Sequence, residues 1–335
     1  MSAEILSTET PALFEKAVER TAKLLDAGDV VALPTETVYG LAANALDPDA
    51  VAKIFKAKDR PAYNPIIVHV ASIPMARDCV ASWPLLADRL SHNFWPGPLT
   101  LVLERSNIIP DVVTAGGRTV GIRWPSHPFI QAVIRRCGFP LAAPSANLSN
   151  QVSPTNVFHV QKTLGQTLRL IVDGGQSQVG IESTVLDMTS QPPRVLRPGI
   201  IHDSAILAVT GELASGGTSP VDILKSPGNL ARHYSPKARL LIWEWQSEPE
   251  LRALLKQIKP VTGPIHIIAH SHVPSREGID RVSVIPHDPE AYARAIYAEL
   301  HQSDDLGAAL IIVESPPNTP EWHGIRDRLN RAASP

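Results

Sequence analysis

The chain has 335 residues, 44% hydrophobic and 19% charged, and its 31 basic and 33 acidic residues give a formal net charge of −2. That length exceeds one ordinary compact domain, so two are expected, and the apolar share excludes a disordered chain. The charge balance offers no electrostatic footprint for nucleic acid, and two distant cysteines, Cys79 and Cys137, exclude a disulfide framework or zinc spacing and fit a reducing compartment.

The N-terminal residues carry acids and lack an apolar signal core, and no run approaches bilayer length; a soluble, cytoplasmic protein with no membrane segment is expected. The first predicted element is a helix capped by Thr10, with Pro11 in its first turn and Gly28 after its end. Leu13, Phe14, Ala17, Val18, Thr21, Leu24 and Leu25 form its buried face. A short strand covers residues 30–33, and a second helix starts at Asp47-Pro48, with Val51, Ile54 and Phe55 inward. Further strands are expected at 66–70, 99–103, 119–122, 141–143, 168–172, 183–186 and 194–196. Strands alternating with helices indicate an α/β class, and the hairpin-length gaps late in this region indicate a mixed sheet. Residues 211–237, rich in Gly, Ser and Pro, read as a linker between a first domain (1–210) and a second (238–335). The second has strand signals at 239–245, 265–269, 282–285 and 308–313 and helical ones at 248–259, 289–302 and 321–331. It is a small, Rossmann-like α/β unit without a glycine fingerprint.

Five polar motifs interrupt the first domain. Pro34-Thr35-Glu36-Thr37-Val38-Tyr39-Gly40-Leu41 follows a strand, where a ligand would meet an open α/β sheet; it reads equally as a turn capping the next helix. Lys58 and Arg60, two apart at a helix end, lead into Pro61 and Asn64-Pro65. They suit polyphosphate as point charge and fork, whereas Lys53 and Lys56 read as a solvated face. His69 lies in an apolar strand, where a core role is the commoner one. Arg123, in the strand beginning at Thr119, either binds a carboxylate in a cavity or faces outward. Ala143-Pro144-Ser145-Ala146-Asn147 with Ser153-Pro154-Thr155 makes an anion site or an ordinary helix cap. Asp173-Gly174-Gly175, Gly180-Ile181-Glu182-Ser183-Thr184-Val185 and Arg197-Pro198-Gly199 bring glycines close to a ligand or simply turn a hairpin. The phosphate loop, the dinucleotide fingerprint and H-E-x-x-H are absent, so ATP would need an unconventional site and no metal is expected to be held by the protein.

In this order, over residues 10–210, the five motifs resemble the YrdC family. Ser226-Pro227-Gly228 and Arg232-His233-Tyr234-Ser235-Pro236 resemble the linker of its long form. The resemblance implies a twisted mixed sheet with flanking helices around a large cavity. It also implies synthesis of threonylcarbamoyl-AMP from L-threonine, bicarbonate and ATP, as a nucleotidyltransferase serving tRNA modification. By resemblance, Lys58 and Arg60 are catalytic and contact ATP. Asn64, Thr119, Ser145, Asn147, Ser153, Arg197 and Tyr234 are further ATP contacts, and Mg²⁺ comes with the phosphates. Thr35, Thr37, His69, Arg123, Ala143 and Ser183 are implied for threonine. A downstream tRNA threonylcarbamoyl transferase is the implied partner. An RNA-binding module, or a related carbamoyl or nucleotidyl transferase, is the competing reading. No residue stands out as a general base. Three positions depart from the pattern: Asp59 replaces the glycine usual between Lys58 and Arg60, Ala42-Ala43-Asn44 lacks a glycine, and Asn229-Leu230-Ala231 is a loose linker match.

Overall fold

A computed structural model describes residues 2–214, 233–258 and 261–334. Most of the expected linker, including residues 226–232 of its motif, and the last residue of the expected helix 248–259 lie outside the described residues.

The first region is built on a ten-stranded mixed sheet. Its strands are β1 (Glu4–Ser7), β2 (Val31–Leu33), β3 (Gly40–Asn44), β4 (Val68–His69), β5 (Leu99–Glu104), β6 (Thr119–Arg123), β7 (Leu141–Ala142), β8 (Leu170–Asp173), β9 (Thr184–Asp187) and β10 (Arg194–Arg197). They lie in the order β1-β8-β2-β3-β7-β4-β6-β5-β9-β10. Parallel pairs such as β1/β8 and β5/β9 sit beside antiparallel ones such as β2/β3 and β5/β6. Helices α1 (Pro11–Asp26), α2 (Pro48–Lys58), α3 (Ile73–Asp78), α4 (Leu85–Phe94), α5 (Asp111–Thr114), α6 (Pro128–Cys137), α7 (Val157–Leu164) and α8 (Asp203–Thr210) flank it.

Local chemistry explains the helices nearest the motifs. Thr10 accepts from the Leu13 amide to start α1, whose buried side includes Ala17, Val18, Leu24 and Leu25. Phe14 meets Phe129 of α6 edge-on, with ring centroids 5.5 Å apart. Asp47 accepts from the amides of Asp49 and Ala50 to start α2. That helix stops at Asp59, held left-handed at φ 49° and ψ 47°. Glycine adopts this conformation freely, whereas an L side chain there costs about 1 kcal/mol, least for Asn and Asp. The departure at Asp59 therefore falls where the backbone itself favours glycine.

Two strands were not anticipated. β1 is a short strand with exposed and half-buried side chains at the sheet edge, and β3 reads GLAAN, without the β-branched residues that mark strands. The segment after Pro34 thus turns into an antiparallel hairpin with β2 and does not cap a helix. α7 is capped by the Asn156 side chain; the Ser153 hydroxyl is used elsewhere.

The second region has a four-stranded, all-parallel sheet of β11 (Arg239–Trp243), β12 (Ile265–Ala269), β13 (Arg281–Val284) and β14 (Leu310–Glu314), ordered β11-β14-β12-β13. Its helices are α9 (Glu248–Gln257), α10 (Pro289–Asp305) and α11 (His323–Ala333). One apolar cluster crosses between the regions: Val38, Val152 and Ile181 pack with Tyr292, Ile296, Tyr297, Trp322 and Ile325. Each fully buried aliphatic side chain there contributes about 1.5–3 kcal/mol, so loops of the first region and the second region are joined by an apolar seam. Among the described residues, no helix is long and apolar enough to cross a membrane.

Candidate active site

Backbone hydrogen bonds draw the separate motifs together. The Tyr39 amide donates to Pro154 O, and Ala146 and Leu41 amides donate to Tyr39 O and Pro144 O. Val179 and Gly180 amides donate to Glu36 O and Thr37 O. The buried Tyr39 hydroxyl donates to Gly175 O at 2.7 Å and accepts from the Gly174 amide at 3.1 Å. Five loops distant in sequence thus enclose one cavity. Its walls include Thr35, Thr37, Arg60, His69, Arg123, Ala143, Ser145, Glu182, Ser183, Arg197, His233 and Tyr234.

One half centres on Arg123. This side chain is only 4% exposed, so it points inward and does not decorate the sheet. Nη1 donates to Thr37 Oγ1 at 2.9 Å, and Nη2 lies 2.7 Å from Glu36 Oε1. Neither that nitrogen nor that oxygen makes an aligned hydrogen bond, so the Glu36 contact is an ion pair without hydrogen-bond geometry. Sequence reasoning assigned Glu36 no role, although it stands inside the first motif. The Thr35 hydroxyl donates to Val38 O and lies 3.0 Å from Thr37 Oγ1. His69 is buried, and desolvation with Arg123 nearby drives its pKa down to about 3, so its ring stays neutral. The Ser183 hydroxyl bonds Thr100 Oγ1 at 2.8 Å and accepts from Arg197. Ala143 adds a nearly buried methyl.

The other half collects cations. Arg60 uses Nε and Nη2 on the carbonyls of Asn64 and Pro65, at 3.1 and 2.7 Å. Arg197 is buried and holds Ser183 O through Nε and Nη2. Lys58 is 1% exposed; its ammonium donates to Ser145 O and Asn147 O, both at 2.5 Å. Desolvation, reinforced by Arg60 and opposed by Glu182, depresses its pKa well below the usual lysine value. Lys58 therefore clamps the Ser145–Asn147 loop from behind and is not itself a cavity wall. The Asn147 amide completes that loop by donating to Leu148 O and Gln151 O. The Ser153 hydroxyl donates to Glu182 Oε1 at 2.5 Å. Burial raises the Glu182 pKa, but Arg328 and Arg197 outweigh it and hold the carboxyl ionised.

Tyr234 lines the cavity and packs against the second region. It is 1% exposed and sits at φ 62°, a left-handed conformation that costs a bulky residue about 1–3 kcal/mol unless its surroundings hold it. His233 meets its ring edge-on at 4.0 Å, and Tyr297 stacks at 6.0 Å. The cavity holds about 50 Å³ of open volume, room for a few waters and far less than a nucleotide needs, and His233 and Tyr234 are among the walls that narrow it.

Two anticipated residues lie apart. Thr119 lines a separate small cavity with Val120, Val113 and Val185. Asn64 is buried with its Oδ1 unpaired and meets the site only through its carbonyl on Arg60. A more open groove of about 710 Å³, lined by residues such as Asp88, His92, Trp95 and Trp124, includes none of the anticipated site residues. Among the described residues, no three His, Cys, Asp or Glu side chains converge as a metal site.

The family described as "Telomere recombination", the Sua5, YciO and YrdC group, matches residues 23–199, and that described as "Threonylcarbamoyl-AMP synthase, C-terminal domain" matches 201–334. A Pyrococcus abyssi protein named threonylcarbamoyl-AMP synthase is 38% identical over 313 residues, 91% of each chain. A Bacillus subtilis protein of the same name is 39% identical over 337 residues, 98% of this chain and 94% of the relative. The solved structure of P. abyssi Sua5 complexed with L-threonine superposes with a TM-score of 0.89 at 35% identity, covering 99% of this chain and 98% of that one. With both regions matched in order, the chain belongs to the Sua5–YrdC family in its two-domain form.

Proposed function

We propose that this chain is a threonylcarbamoyl-AMP synthase, using L-threonine, bicarbonate or CO₂, and ATP. The observation that carries the reading is one enclosed cavity with an arginine–hydroxyl half, suited to an amino acid, against a cation-rich half, suited to a triphosphate. That a relative was solved in complex with L-threonine supports threonine as a substrate.

The threonine carboxylate binds the Arg123 guanidinium, among Thr35, Thr37, His69, Ala143 and Ser183. Neutral His69 adds no second positive charge there, so it does not repel the threonine ammonium. The amine, once deprotonated, adds to CO₂ or loses water with bicarbonate to give a carbamate. A carbamate oxygen attacks the α-phosphorus of ATP, an O–P bond forms, and pyrophosphate departs with the electron pair of the broken P–O bond. Two anions must meet, so cations carry much of the catalysis. Arg60 and Arg197 face the phosphates; Lys58 holds the Ser145–Asn147 loop against them and shares its charge. Ser153 and Tyr234 complete the nucleotide half, and Asn64 acts through Arg60. Mg²⁺ enters with the triphosphate as part of the substrate and offsets its charge. Enclosure protects the labile mixed anhydride from water. The product is consumed by a transferase acting on tRNA.

The test is incubation of the full chain with ATP, Mg²⁺, bicarbonate and threonine, with mass detection of the adenylate. The expected result is threonylcarbamoyl-AMP and pyrophosphate in equal amounts, lost when any substrate is omitted. ATP turnover indifferent to threonine contradicts the reading.

A further inference from the structure

We infer that Arg328, on α11 of the second region, is a positioning residue for the nucleotide half of the site. The inference rests on reading that half as the ATP site.

Arg328 is 1% exposed, although a charged helix residue is ordinarily solvated. Its Nε donates to Glu182 Oε2 at 2.8 Å, Nη2 reaches Glu182 O at 3.3 Å, and Nη1 donates to Asp327 at 2.7 Å. Its guanidinium carbon lies 5.3 Å from the centroid of the Tyr234 ring. One side chain from the second region therefore touches both Glu182 and Tyr234, which line the cavity. The Tyr297 hydroxyl, on α10, gives the same Glu182 oxygen a second bond at 3.0 Å.

Among the described residues, Glu182 is the one acid that lines the cavity. A triphosphate entering beside an unpaired, buried carboxylate would meet like charge in a poorly screened site. Arg328 removes that repulsion in two ways: it neutralises the carboxylate, and it fixes Oε1 where Ser153 donates to it. Its contact with Tyr234 also helps hold the left-handed backbone there.

Two glycines give independent evidence that the motifs are shaped for this neighbour. A Cβ at Gly180 would lie 2.3 Å from Ala293 O of α10, and one at Gly324 of α11 would lie 2.7 Å from Gly199 O. Gly180 and Gly199 belong to the last motif group, whose glycines suggested close approach of a ligand. The approach is by the helices of the second region. Arg328 has no counterpart role in the Arg123 half: its partners are Glu182, Asp327 and Tyr234.

The test uses the full chain, with Kd measured separately for threonine and for an ATP analogue carrying a methylene between the α- and β-phosphorus. Arg328→Gln is expected to weaken analogue binding by roughly 10- to 100-fold, the range of a small displacement of positioned groups, and to change threonine Kd less than about twofold. Arg328→Lys, which keeps the charge and loses the fork, should recover part of the loss and serves if Arg328→Gln fails to fold. Adding Glu182→Gln to Arg328→Gln should produce less than the sum of the single effects. A lower unfolding temperature with both Kd values unchanged, or equal weakening of both ligands, overturns the inference. If the wild-type chain binds no analogue, the ATP reading itself fails and the inference falls with it; if the wild type binds and Arg328→Gln binds equally well, only the inference fails.

Discussion

The Arg123 half and the Arg60 half of the cavity are organised differently. Arg123 meets its acid, Glu36, and its hydroxyl, Thr37, within the first region, and both come from one eight-residue motif. The Arg60 half gathers cations from loops far apart in sequence, borrows Arg328 and Tyr297 from the second region, and has Tyr234 lodged in it. An amino-acid subsite can be preformed because one arginine and a few hydroxyls suffice. A triphosphate subsite concentrates positive charge that repels itself until the ligand arrives, so it needs braces from outside. The two halves should therefore respond differently to substitution.

The largest effect is expected at the cations. Lys58→Ala or Arg60→Ala should reduce threonine-dependent pyrophosphate release by about 2–5 kcal/mol in kcat/KM, roughly 30- to 4,000-fold. Full activity in both variants would remove them from the nucleotide half. Arg123 comes next. Arg123→Ala would strand the Glu36 carboxylate and cost about 3–5 kcal/mol of stability, so Arg123→Lys is the cleaner probe. It should raise the threonine KM tenfold or more, about 1.4 kcal/mol, with the ATP KM unchanged. A matching rise in both constants would dissolve the distinction between halves.

Acid should act on both halves. His69 in the Arg123 half and His233 beside Tyr234 both have pKa values lowered by burial to about 3. A folded pKa below the unfolded value near 6.5 means that the unfolded chain binds more protons in between. The stability contribution is then complete above pH 6.5 and lost as pH falls toward 3, by about 1 kcal/mol per histidine at pH 5.5. Thermal unfolding from pH 7.5 to 5.5 should show this decline, and His69→Gln should make it shallower; an unchanged slope would mean that the His69 ring already takes up a proton in the folded chain. The smallest effect belongs to Asp59. Asp59→Gly should relieve the left-handed backbone and stabilise by up to about 1 kcal/mol in a denaturant titration, with activity kept. A loss of stability would show that the Asp59 side chain supplies more than its conformation costs.

These differences also mark what could be read from the sequence. The Arg123 half was legible only through the family resemblance: read locally, residues 34–41 were equally a turn and Arg123 could as well face outward, and only its burial shows that it points inward. The α/β class followed from alternating strands and helices. Glu36 was visible but unassigned, since nothing local shows that it faces Arg123, 87 residues away in the chain. Arg328 was illegible: RDRLNR reads as the solvated side of an amphipathic helix, and its burial comes from a carboxylate 146 residues away. The same holds for Lys58, whose type suggests phosphate contact but whose ammonium is taken by two carbonyls. β1 escaped because it is four residues long with exposed and half-buried side chains at the sheet edge, and β3 because GLAAN has no β-branched residue; both take their conformation from their neighbours.

The most direct measurement is a crystal structure of the full chain with threonine and the methylene ATP analogue. The account requires the threonine carboxylate on Arg123, the triphosphate between Arg60, Arg197 and the Ser145–Asn147 loop, and the Tyr234 ring displaced from the space it now fills. A nucleotide seated elsewhere, with that ring still in place and the cations unengaged, contradicts it.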